Sequence, residues 1–88
     1  MSACVVYRCS RQAELYLYLR EGLSPEVLPE ALRARTGRLT EVMRLSLHPE
    51  RRLARVEVSR VIAALAGPGW YLQLPPDGQI HGHLDDGD

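Results

Sequence analysis

The chain has no lysine, no asparagine and no phenylalanine among its 88 residues. Without lysine there is no Schiff-base nucleophile and no phosphate-loop lysine, and without asparagine no N-glycosylation acceptor. Only two cysteines are present, Cys4 and Cys9. On one extended strand, five positions apart, they point to opposite faces, with Cα atoms roughly 16 Å apart at about 3.3 Å per residue. The spacing excludes a disulfide between them and predicts two reduced, half-buried thiols. No apolar run approaches the length of a membrane span, and the first ten residues lack a basic-then-apolar signal pattern. The expectation is a cytoplasmic chain without membrane contact.

What is present fits one small globular domain, since 88 residues leave no room for a second core. The formal charge is zero, but it is unevenly spread. Residues 1–60 carry all eleven arginines and seven glutamates, whereas residues 61–88 carry only Asp77, Asp85, Asp86 and Asp88. The domain therefore reads as residues 3–76, followed by an acidic, glycine-containing tail, 77–88, expected to be disordered.

Periodicity supplies the elements. Ala3-Cys-Val-Val-Tyr-Arg8 is a β-branched strand candidate, and Ser10–Ala13 a polar connection. Glu14–Arg20 alternates strictly, setting Leu15, Leu17 and Leu19 against Tyr16 and Tyr18. The two segments form an antiparallel hairpin. Ser24 followed by Pro25 is a helix start, Pro29 makes the opening turn irregular, and Gly37 is the left-handed stop. That predicts one helix over 25–36, buried through Leu28 and Leu32 with Val27 and Ala31 as candidate margins. Leu39–Leu47 has strand composition, ended by His48-Pro49, and Glu50–Arg55 is ambiguous between coil and a helical turn. Val58, Val61, Ile62 and Leu65 fall at i, i+3, i+4 and i+7 of an amphipathic helix, which Gly67-Pro-Gly69 stops. Trp70–Leu74 is a last short strand. The class is α+β: a small, mainly antiparallel sheet in the order β-β-α-β-α-β, flanked by helices.

In that order the segments resemble the YcgL family of small proteobacterial proteins. The resemblance is carried by Cys4-Val-Val-Tyr7, Tyr16-Leu-Tyr18, Val27-Leu-Pro-Glu-Ala-Leu32 with Gly37, Val42-Met43, Leu45–Leu47 and Arg52-Leu-Ala54. Tyr71-Leu-Gln-Leu-Pro-Pro76 is the most specific block. The resemblance implies an α/β/α sandwich and no established enzymatic activity. Members are often encoded beside ribonuclease D, an associational link to RNA metabolism. Where they continue past the double proline into a helical segment, Asp77–Asp88 here is glycine-rich and acidic.

The chemistry the residues offer is limited. Cys4, Cys9, His81 and His83 do not converge at metal-ligand spacing. No Gly-x-Ser-x-Gly elbow is present, and Gly67-Pro-Gly69 follows a helix rather than a strand, the reverse of a phosphate loop. The expectation is no catalysis and no cofactor. Two surfaces remain. Alternation gathers Tyr16, Tyr18, Tyr71 and Gln73 on one side if the second and last strands share a sheet. Such a face stacks bases in RNA-recognition motifs, and is otherwise covered by helices with the phenol bodies buried. Arg44, Arg51, Arg52 and Arg55 form the one local basic cluster, either a phosphate-binding surface or a solvated rim among Glu41, Glu50 and Glu57. The reading is a small binding or regulatory module acting through protein–protein contact at a sheet edge or incompletely covered face, a monomer or weak homo-oligomer. An RNA-associated accessory role is the alternative.

Overall fold

The computed structural model describes residues 2–50, 53 and 57–75. Four strands, β1 (Ser2–Cys9), β2 (Tyr16–Arg20), β3 (Leu39–Leu47) and β4 (Trp70–Gln73), make one antiparallel sheet in the order β3-β1-β2-β4. Two helices, α1 (Glu30–Thr36) and α2 (Val58–Ala66), complete the described elements with one 3-10 turn at Pro25–Val27. The α+β class and the hairpin follow the periodicity. The hairpin pairs Cys4 with Arg20 and Arg8 with Tyr16.

The expected single helix over 25–36 is two pieces. Ser24 accepts a hydrogen bond from the Glu26 amide through its Oγ (3.3 Å) and starts the 3-10 turn. Pro29 then restarts the chain as the N-cap of α1, because the residue before a proline is driven out of the helical region. Leu28 and Leu32 are buried as expected, but Val27 and Ala31 are exposed. The break at Leu28–Pro29 interrupts the phase that would have placed them on one stripe. Gly37 ends α1 at φ 72°. A side chain there would also meet Ser10 Oγ and Arg11 Cγ at 2.5 Å. The connection after β1 is laced to this corner: the Ser10 amide donates to the Arg38 carbonyl and Ser10 Oγ accepts from the Arg38 amide (2.8 Å).

Each sheet face carries a buried core, made by different side chains. Leu15, Leu17, Leu19 and Cys9 pack with Leu28 and Leu32 on the leucine face. Cys4, Val6, Tyr18 and Leu47 pack with Val61 and Leu65 of α2 on the tyrosine face. The layers are thus helix, sheet, helix, an α/β/α sandwich. Cys4 and Cys9 lie on opposite faces, as their spacing requires, and both are fully buried rather than half-buried. Gly67 and Gly69 end α2, with Gly69 at φ 98°, where a side chain would also meet Leu23 Cδ1 at 2.6 Å. Arg20 donates to the Leu65 carbonyl (3.1 Å), tying the end of β2 to the last turn of α2.

Leu65 is 1% exposed in this layer. Leu65→Ala is expected to cost about 3 kcal/mol, and Leu65→Asp, which buries an unpaired charge, to unfold the chain. Thermal melts followed by circular dichroism check both; a Leu65→Asp protein that melts like the wild type would place the helix stripe in solvent. Burial also pushes the Cys9 thiol from 9.0 up to about 11. The folded chain then keeps a proton that the unfolded chain releases, so this contribution is full below 9.0 and is lost as pH climbs toward 11. The expected slope is about 1.4 kcal/mol per pH unit in that window. Urea midpoints of wild type and Cys9→Ala measured across it should diverge, the wild type falling more steeply.

Candidate functional site

Pairing of β2 with β4 sets Tyr16 opposite Gln73 and Tyr18 opposite Tyr71. The four residues singled out by alternation therefore share one face. Tyr18 is 6% exposed and donates its hydroxyl to Gln73 Oε1 (2.8 Å). Its ring meets Tyr71 edge-on, centroids 6.2 Å apart, a favoured aromatic geometry. Tyr18 and Gln73 are thus a buried polar pair. Tyr16 and Tyr71 are half-buried at its margins.

Coverage of this face is uneven among the described residues. α2 lies over β4, β2 and the adjoining end of β1, held there by Val61, Leu65 and the Arg20 contact. The opposite end of the sheet is left as a cleft of about 280 Å³, open on one side and lined by Val6, Arg8, Tyr16, Val42, Met43 and Leu45, with Tyr18 and Gln73 behind. Val42 and Met43 are 40% and 50% exposed. Arg8 is exposed at the rim and makes no ion pair among the described residues.

A bulge builds the outer wall of the cleft. Val6 pairs with Met43 and Tyr7 with Glu41, so Val42 is an extra residue in β3. It rotates the strand's pattern: Val42 and Met43 both line the tyrosine face, while Leu39 joins the leucine-face core. Plain alternation misses Arg8, Val42 and Met43 as site residues. The signal available was the adjacent polar pair Thr40-Glu41 beside the adjacent apolar pair Val42-Met43.

The arginine cluster is only partly within the described residues. Arg44 faces away from the cleft, bonded through Nε to Glu41 (3.1 Å) and near Glu21 (3.6 Å). The hydrogen bond and charge of Glu41 raise its guanidinium pKa further above the ordinary value. Arg51, Arg52 and Arg55 lie outside the described residues, as do His81, His83 and the tail 77–88. Among the described residues no three His, Cys, Asp or Glu side chains are placed to hold a metal ion. No described helix is long and apolar enough to cross a membrane.

Fold and cleft define a small α/β/α sandwich with a shallow apolar recess at one end of its sheet. Comparison with known proteins fixes the family. Residues 4–76 match the YcgL domain. A YcgL domain-containing protein of Saccharophagus degradans is 39% identical over 71 residues, covering 81% of this chain and 78% of that protein. One from Pseudomonas aeruginosa is 44% identical over 75 residues (83% and 75%), and one from Idiomarina loihiensis 40% identical over 73 residues (83% and 85%). The chain belongs to the YcgL domain family.

Tyr18→Phe deletes one hydroxyl and strands a buried amide oxygen. The expected loss is about 1–3 kcal/mol, read as a lower denaturation midpoint. Tyr16→Phe, at the half-buried margin, should leave the midpoint within about 0.5 kcal/mol of wild type.

Proposed function

We propose that this chain is a non-catalytic protein-binding module, and that the cleft at the open end of the tyrosine face receives an apolar side chain of a partner protein with a carboxylate beside it. The carrying observation is the combination of Val42 and Met43 exposed on an apolar floor with Arg8 at the rim, outside any ion pair among the described residues. An exposed apolar patch with a polar rim is the ordinary form of a protein contact surface. Arginine at the edge supplies a fork for a carboxylate. The cleft is shallow and open where small-molecule sites enclose their ligand. Its described lining holds no carboxylate, serine, cysteine or histidine to act as base or nucleophile.

A protein partner is favoured over stacked bases by the state of the rings. Tyr18 sits under α2 with its hydroxyl committed to Gln73, which leaves Tyr16 as the one cleft tyrosine with a partly open face. Base-stacking platforms need several.

The test is affinity capture from native lysate, with and without ribonuclease, using wild type, Met43→Glu, Arg8→Glu and, as a control on the other side of the sheet, Val27→Glu. A protein retained after ribonuclease by wild type and Val27→Glu, and lost from both cleft variants, is the expected result. Quantified with the purified partner, each cleft variant should weaken binding by about tenfold or more. Capture abolished by ribonuclease would favour the RNA-associated role instead. A partner that both cleft variants retain, or no retained protein, overturns the reading.

A further inference from the structure

The geometry of β3 points to a second site, the outer edge of the strand, and to its occupant: we propose that another copy of this chain pairs with it antiparallel, about a two-fold axis between Val42 and Met43. β3 is nine residues long and pairs only with β1 among the described residues, so one side of its backbone is open. Edges of this length are usually guarded, and here the guard is the bulge with Glu41 and Arg44 beside it. A straight strand laid on this edge leaves one residue over at Val42, as β1 does.

A second copy does not. Thr40, Val42, Met43 and Leu45 belong to the tyrosine face, and Leu39, Glu41, Arg44 and Ser46 to the leucine face. Outward from the peptide bond between Val42 and Met43, the sequence of faces is the same in both directions. An antiparallel copy in that register sets Val42 against Met43, Glu41 against Arg44, Thr40 against Leu45 and Leu39 against Ser46, each pair on a common face. A slip by one residue opposes side chains that point to different faces. The register also satisfies what a two-fold contact demands, that every residue meet its complement twice. Two half-exposed apolar pairs come together on one side. On the other, two Glu41 and two Arg44 side chains alternate in sign, extending the ion pair that each chain already makes at 3.1 Å. The pairing also sets two clefts side by side across the axis. A two-strand contact is small, so the dimer is weak and dependent on concentration.

Sedimentation equilibrium on the purified chain, from micromolar to millimolar concentration, reads this directly. The mass should rise from 9.9 kDa toward twice that value. Glu41→Arg and Arg44→Glu, both exposed positions, should each weaken self-association about tenfold or more by opposing like charges. The equimolar mixture of the two variants should associate, and so should the double variant E41R/R44E, because each restores opposite signs in the same register. A wild type that stays monomeric at millimolar concentration overturns the proposal. So do single variants that associate like wild type, or a mixture and double variant that do not recover. The outcome is independent of the cleft reading, which is decided by a partner protein and not by the purified chain alone.

Discussion

The structure depends on β2 being hydrogen-bonded along both edges while carrying apolar groups on both faces. β1 and β4 satisfy its backbone. Leu17 and Leu19 on one side are fully buried, and Tyr18 on the other is nearly so. A sheet with that strand inside cannot leave either face to water, since each uncovered large side chain forfeits about 1.5–3 kcal/mol. Two helices must therefore be recruited to opposite sides. The cost of burying the tyrosine hydroxyl is met locally, because the strand pairing that brings β4 alongside also brings Gln73 within 2.8 Å.

Uneven coverage follows from how α2 is anchored. Its stripe is short, and Arg20 holds its final turn at one end of β2. The helix consequently shields the Cys4 and Leu47 end of the face, and the Tyr16 and Arg8 end keeps an open recess among the described residues. That end of the face keeps Val42 and Met43 exposed among the described residues. A cleft floored by valine, methionine and tyrosine has an adaptable apolar lining.

The bulge at Val42 links packing to recognition. By inserting one residue it sends Leu39 into the leucine-face core and turns Val42 outward beside Met43. Both changes arise from one backbone irregularity. It closes the edge strand to indiscriminate pairing while giving that edge a face order that matches its own reverse.

Much of this was legible in the chain before any coordinates. Strict alternation in Glu14–Arg20 fixed which side chains oppose which, because successive residues of a strand must point to opposite faces. The spacing of Val58, Val61, Ile62 and Leu65 fixed the buried stripe of α2, and the five-residue separation of Cys4 and Cys9 kept the thiols apart. Those are short-range consequences of backbone geometry, and a sequence carries them. Strand order, the placing of β4 beside β2, the broken helix at Pro29 and the bulge at Val42 were settled only in three dimensions. They depend on which distant segments compete for the same hydrogen bonds and the same buried volume. The grouping of Tyr16, Tyr18, Tyr71 and Gln73 could be foreseen on condition of a shared sheet. That Arg8, Val42 and Met43 would border an open cleft could not, because exposure is decided by how α2 is laid across the sheet, which no local pattern in β1 or β3 records.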